Sequence, residues 1–532
     1  MPSPPSKRKN DSMNNPSFHR CTIATLALAA ISASMLAVTP ASATSRSAAG
    51  DLPTRPEKLT FPPLRFEAPK AATYRTTLSN GTPVYMLPSH EFPLINLSMT
   101  CMGGSNLDPA DRAGLASMTA AMIRRGGTTS MEAEDVDEKI EFMAANIGVA
   151  SADWRSTASI DALKSNFEDG LRILVDMLRN PAFDEEKFAI ARADALEGLK
   201  QRNDDASSIS GREWAYLVYG ENHFESRQVT GDSLAAITQD EMRAMAARIF
   251  HPGNMIIAVT GDFEPDAMKA MLEKAFAGWA AGPRNPPPVA PTFEMKPGVF
   301  YAQKDIPQGK VSIGMRSINR DDPDYFPYLV MNEILGGGGF SSRIMQRVRS
   351  DEGLAYSAGS RFSAGPFYPG VFRAAFESKS PTCALATKLI IDEVNRMRDT
   401  LVSASELETA KNSFIETFPN TFASKAGTLG VFVSDEWTNR PAGFWETYRD
   451  KIRAVTPEDI QRVARKHLDP AKLTILVVGS WDDIAKGDAQ GRARMDLFGP
   501  ATRLPDRDPV SLKPITPSSA SSAATKSASQ GS

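Results

Sequence analysis

Two stretches of this chain, 218 residues apart, carry one pattern. Ala236–Asp262 reads AITQDEMRAMAARIFHPGNMIIAVTGD, and AVTPEDIQRVARKHLDPAKLTILVVGS begins at Ala454. They align without a gap: Thr238 falls on Thr456, Ala246 on Ala464, Pro252 on Pro470 and Gly261 on Gly479. In each copy a threonine followed by acidic residues starts a helix. A proline then interrupts the chain, and an apolar, β-branched run makes a buried strand that ends at glycine. A repeat this long excludes a solenoid, whose units recur every 20–50 residues or so. It predicts two related domains.

The rest of the chain fits that division. Ala280–Gly298 holds six prolines and little apolar pattern, so it reads as a linker. Asn80-Gly81 marks a hairpin, and Pro93–Cys101 alternates as a strand should. Helical spacing follows over Gly114–Arg125, Asp135–Ile147, Asn166–Leu178 and Glu185–Arg202. Strands, hairpins and helices together predict an α+β architecture: two domains, each a largely antiparallel sheet with helices packed on one face.

The ends read differently. Lys7, Arg8, Lys9 and Arg20 precede an apolar, alanine-rich run from Cys21 to Val38, and Ala41-Ser42-Ala43 supplies a cleavage site. Residues 1–43 are therefore expected to be a secretory signal peptide, which implies export, to the periplasm in a bacterium, with no stable membrane insertion after cleavage. A retained anchor is the alternative. Cleavage removes four basic residues and one acidic one, taking the formal charge from −3 to −6. That balance argues against nucleic acid as a partner. Cys101 and Cys383 are then the only cysteines, too few and too distant for a disulfide framework. The expected plan is a signal peptide (1–43), an extended segment (44–70), a first domain (71–280), a linker (281–298), a second domain (299–500) and a disordered tail (501–532).

From about Tyr74 to Trp481 the chain resembles the insulinase-like (pitrilysin, M16) zinc metallopeptidases. The resemblance rests on the doubled domain, the Asn-Gly hairpin, the AGL…GGT frame around the first long helix, and LGGGGFSSRIMQRVRSDEGLAYS at Leu335–Ser357. It implies two domains of the M16/LuxS-like metalloenzyme type. Active members carry H-x-x-E-H on the first helix, where positions i, i+3 and i+4 share a face, so two His bind zinc while Glu activates water. On that frame Ser117 and Ala121 stand at the histidine positions and Ala120 at the glutamate. Glu197, in ADALEGLK, falls where the family places its third ligand, although a lone helix glutamate is ordinarily just solvated. His90, His223, His251 and His467 form no close-spaced pair. No metal or other cofactor is expected in this chain.

The second domain keeps what the first has lost. Arg349 and Tyr356 match the family's Arg/Tyr pair, in which Arg grips a substrate carbonyl or carboxylate and Tyr donates to the oxyanion. The resemblance makes Gly337, Gly338 and Phe340 substrate-binding candidates. The four-glycine run lacks the ending of a phosphate loop, so nucleotide binding is rejected, and a tight helix C-terminal turn is the competing account. Taken together, the resemblance implies a subunit that is inactive alone. Its expected partner is an H-x-x-E-H homologue, which carries the zinc and closes with it around an unfolded peptide. The alternative from another class is an inactive M16-fold binding or scaffold protein, and an autonomous metallopeptidase is disfavoured.

Overall fold

A computed structural model describes residues 65–515, all within one compact unit. The expected signal peptide, most of the segment 44–70 and the tail beyond residue 515 lie outside the described residues. Two six-stranded sheets organise the molecule. The first contains β1 (Arg75–Thr77), β2 (Pro83–Pro88), β3 (Leu94–Met102), β4 (Asn146–Ala152), β5 (Arg155–Leu163) and β6 (Met255–Gly261). The second contains β7 (Gly298–Gln303), β8 (Gln308–Arg316), β9 (Ala355–Phe362), β10 (Val371–Lys379), β11 (Thr474–Gly479) and β12 (Ala501–Arg503).

Their orders, β1-β2-β6-β3-β5-β4 and β12-β7-β11-β8-β10-β9, superpose strand for strand. β2–β6 and β7–β11 are parallel, while the four inner pairings through β3 and β8 and the outer pairings of β4 and β9 are antiparallel. The repeat lies at the heart of this likeness. Helix Gln239–Ile249 corresponds to helix Pro457–His467, and each starts from a threonine capping box, Thr238 with Glu241 and Thr456 with Asp459. Each helix feeds the strand that pairs in parallel at the centre of its sheet, β6 or β11. The edge strands break the symmetry. β1 enters antiparallel to β2, while β12 returns parallel to β7.

Each sheet has helices of its own half on one face. Val84, Met86, Ile257 and Val259 pack there in the first half, and Ile475 and Val477 in the second. The opposite faces are covered by exchange. Helix Ala206–Tyr219, from the first half, lays Ala206, Ile209, Trp214 and Val218 on Ala302, Leu476 and Val478 of the second sheet. Helix Lys425–Trp437, from the second half, lays Leu429, Phe432, Val433 and Trp437 on Tyr85, Met102 and Ile256 of the first. Alternate residues of one strand thus serve two layers, which is why β11 is buried throughout rather than alternating. The expectation of helices on one face missed this second layer. Polar bonds reinforce the exchange. Arg75 donates Nε and Nη2 to Glu436, each at 2.9 Å, and Tyr85 donates to the same carboxylate at 2.6 Å.

Two boundaries differ from expectation. The helix expected over Asp135–Ile147 runs Ala133–Phe142, because Ala144 adopts φ 49° and turns the chain into β4. The tail expected to be disordered from residue 501 is ordered to residue 515. It adds β12, then crosses helix Ala206–Tyr219, burying Leu512 and placing Arg507 3.5 Å from Glu213 and 2.6 Å from Glu221. Its apolar residues are few, but Arg507 is tied to Glu221 by a charge-assisted bond and adds its charge to the Arg212–Glu213 pair buried on the helix beneath. Residues 281–297 contain no helix or strand. Both cysteines are buried and unbonded, and burial raises both thiol pKa values. No helix among the described residues is long and apolar enough to cross a membrane.

Candidate functional site

Helix Leu115–Arg125, the frame on which a zinc motif would sit, is well built. Gly114 starts it at φ 97°, a left-handed turn that suits glycine. The buried Asp108 carboxylate accepts the Gly114 N–H at 2.9 Å and the Ala116 N–H at 2.8 Å. Burial outweighs those bonds and raises its pKa to about 6. Arg227 donates to the carbonyls of Ser105 and Asp108 and fixes the preceding loop. The scaffold is therefore intact while its chemistry is absent. Ser117 is exposed and donates back to Gly114 O at 3.0 Å. Ala120 is buried and Ala121 half-buried. Glu197 is exposed on helix Glu185–Lys200 and pairs with Lys200 at 2.8 Å, an ordinary surface ion pair. These residues do not fit zinc, which needs imidazole, thiolate or carboxylate ligands converging on one point.

Among the described residues, the one grouping of potential ligands is Asp322, Asp324 and His467, in the second half. Its core is an ion-pair hub. Asp324 accepts from Arg462 at 2.6 Å, Lys466 at 2.7 Å and His467 at 2.8 Å. Burial opposes ionisation of Asp324, but these donors outweigh it and hold the carboxyl far below its usual range. A carboxylate already shared among those donors is poorly placed to take a metal.

The second candidate region follows helix Tyr325–Asn332. The chain widens into a π-turn over Glu333–Gly337, crosses Gly339–Ser341, and enters a second π-turn over Gln346–Asp351 before β9. Such wide turns are frequent at functional sites. The glycine run has a steric account. A Cβ on Gly336 would lie 2.4 Å from Ser360 N, one on Gly337 2.8 Å from Asn332 Nδ2, and one on Gly338 2.9 Å from Glu333 O. Gly339 has φ 59°. The run thus lets a helix end abut the backbone of β9, the tight-turn account. Gly336→Ala is expected to cost roughly 1–3 kcal/mol, as overpacking does, read as a lower denaturation midpoint.

Two turns later the chain brings three candidates together. The Arg349 guanidinium lies 4.7 Å from the Phe340 ring centroid and 4.7 Å from that of Tyr356. Phe340 is 65% exposed and Tyr356 84% exposed, so the sandwich faces outward. Neighbouring acids are engaged elsewhere, Asp351 by Arg347 and Glu352 by Arg492. Among the described residues no carboxylate pairs with Arg349. Its faces meet rings, and its N–H edge stays free for a planar acceptor.

Beneath this surface, Arg343 is buried and grips Glu406 with two bonds, 2.6 and 3.1 Å. Glu406 also completes the capping box of helix Ala404–Thr417. Burial works against ionisation, yet Arg343 and Ser403 prevail and lower the Glu406 pKa to about 2. A depressed carboxylate stabilises the fold above its unfolded pKa and loses that contribution as pH falls through the folded one. Glu406→Gln should therefore flatten the stability profile between pH 4.5 and 2, measured by denaturation at each pH. Neither this anchor nor the ring sandwich is visible as a spacing pattern. The basic-acidic pair lies 63 residues apart.

Comparison with known proteins follows the same lines. Residues 236–414 match the family model described as the peptidase M16 inactive domain. The protein named non-peptidase homolog YmxG of Helicobacter pylori is 22% identical over 416 residues, spanning 77% of this chain and 94% of its own. A crystal structure described as a peptidase M16 inactive domain, from Pseudomonas fluorescens, superposes with a TM-score of 0.68 at 24% identity, covering 76% of this chain and 97% of the other. The periplasmic protease PqqL from Escherichia coli superposes at 0.63 and 15% identity, over 76% of this chain and 45% of that one. The matched segment, residues 236–414, is thus similar to the M16 inactive domain, and the two matching sheets share the fold of the M16-like structures on which the chain superposes.

Proposed function

We propose that this chain is the non-catalytic, peptide-binding subunit of an exported, periplasmic M16-type zinc peptidase, paired with an H-x-x-E-H homologue that holds the metal. The observation that carries the reading is the outward-facing Phe340–Arg349–Tyr356 sandwich, kept in a chain whose Ser117, Ala120 and Ala121 supply no metal chemistry. The exposed tyrosine hydroxyl lies beside an arginine that no carboxylate pairs among the described residues. Across a bound, unfolded peptide the two groups suit a partner's zinc site. Arg349 would hold a carbonyl or carboxylate, and Tyr356 would donate to the oxyanion. Gly337 and Gly338 would border the same peptide.

The test is reconstitution. The mature chain and an H-x-x-E-H homologue from the same organism are co-expressed, purified together and assayed on unfolded peptides. The pair should hold about one zinc, on the partner, and cleave, while this chain alone holds none and is inert. Stoichiometric zinc on the isolated chain would sink the proposal. The exported protein should begin after Ala43, and a mass spectrum retaining Cys21 would count against the assigned leader. The second reading, an inactive M16-fold binding or scaffold protein, is favoured by the steric account of Gly336–Gly339, which needs no substrate.

A further inference from the structure

A cavity of about 870 Å³ lies away from both regions above. It opens between the C-terminal ends of helices Phe167–Arg179 and Gln239–Ile249 and the connecting segment that follows Phe276. Its volume is within the range of about 300–1,000 Å³ usual for small-molecule sites. Arg179, Arg243 and Arg248 line it, with His251 and Trp279, and no acidic residue does. The full chain has a net charge of −3, so three guanidiniums around one cleft run against the general balance.

The three arginines are held in different ways. Arg179 donates to Ala277 O at 3.3 Å and Gly278 O at 2.7 Å, which shapes the wall. Arg243 is shared between Asp240 Oδ1 at 3.0 Å and Ala182 O at 3.1 Å. Arg248 uses only Nε, toward Asn285 Oδ1 at 3.4 Å, and its two terminal nitrogens have no partner among the described residues. Asn285 is buried and braced, with its Nδ2 donating to Met102 O and Arg248 O, each at 3.0 Å. His251 accepts the Gly282 N–H at Nδ1, 3.0 Å, and ties the wall to the helix end. Helix C-termini carry partial negative charge, and one arginine at each end would offset it. Arg179 and Arg248 stand in the last turns of the two helices and meet that need, and the terminal nitrogens of Arg248, unpaired among the described residues, face the cleft beside Arg243 and are available to oxygen anions.

We infer that this cleft binds a small polyanion carrying phosphate or carboxylate oxygens. The inference is independent of the peptidase-partner reading, since the cleft shares no residue with the Phe340–Arg349–Tyr356 surface. The test is calorimetric titration of the full mature chain at low ionic strength, with pyrophosphate and, separately, citrate as probes. Single-site binding is expected for one or both, and which one answers separates phosphate from carboxylate chemistry. Arg243→Gln and Arg248→Gln should each weaken it roughly tenfold, the effect of losing one charge-assisted bond. Arg248→Lys should keep part of the affinity. Arg396→Gln, outside the cleft, should change nothing. Arg243 and Arg248 are exposed, so unchanged melting of the variants separates loss of binding from loss of fold. Failure of both probes, or undiminished binding in the double glutamine variant, overturns the assignment. Binding of an acidic hexapeptide alone would also overturn it, since the cleft would then take a chain segment.

Discussion

Tyr356→Phe, in a reconstituted pair, is expected to lower kcat by about 10² to 10³ while leaving KM nearly unchanged. The substitution removes one hydroxyl and little volume from a side chain that is 84% exposed, so folding and assembly should be unaffected. If that hydroxyl donates to the oxyanion, the bond strengthens as the tetrahedral intermediate forms, and its loss costs about 2.7–4 kcal/mol of transition-state stabilisation. Arg349→Ala should act differently. The guanidinium edge binds in the ground state as well, so KM should rise with a smaller change in kcat. The measurement is steady-state kinetics at equal subunit stoichiometry, with assembly checked for each variant. A double variant that cleaves as fast as the native pair would make the sandwich a surface feature and leave the scaffold reading in possession.

The second large effect concerns the exchanged helices. Phe432→Ala and Trp214→Ala are each expected to destabilise the protein by about 3–5 kcal/mol, the range for deleting a buried aromatic side chain. Phe432 is 2% exposed, with its ring 5.8 Å from that of Tyr74 and 6.0 Å from that of Tyr85. Trp214 is 7% exposed and packs on the second sheet, where a Cβ on Gly314 would come within 3.0 Å of its ring. Each side chain belongs to one half and fills a layer on the other half's sheet. The two sites lie in separate clusters, so their costs should nearly add. Equilibrium denaturation checks both. Losses below about 1 kcal/mol would show that the exchanged layers are not what holds the halves together.

What the sequence made legible is what local chemistry decides. Thr238 and Thr456 announce helix starts, and the apolar runs before Gly261 and Gly479 announce buried strands, because caps and burial are written within a dozen residues. The loss of zinc chemistry was legible only through the resemblance, whose AGL…GGT frame puts Ser117, Ala120 and Ala121 where the metal motif would stand. The end of helix Ala133–Phe142 was not, because nothing in the identity of Ala144 signals its positive φ. The helix exchange was invisible for another reason. Amphipathic helices such as Ala206–Tyr219 declare that a face will be buried, not against which sheet. The ordered stretch to residue 515 escaped notice because Arg507 bonds to Glu221, which lies 286 residues before it in the chain. Phe340, Arg349 and Tyr356 could be proposed singly, but their stacking depends on the intervening π-turn, and turn width has no clear sequence signature.

The exchange of helices also sets a timetable for folding. When the first half has been synthesised, the outer face of its sheet, with Tyr85, Met102 and Ile256, has no cover until Lys425–Trp437 exists. The bond between Arg75 and Glu436 spans 361 positions. Domains commonly fold as units during synthesis, N-terminal first. Here the N-terminal unit cannot finish, and closing contacts of such separation slows the last step further. The exchange also means that neither half can be expressed alone without leaving a bare sheet face, so each half depends on the other for its last layer.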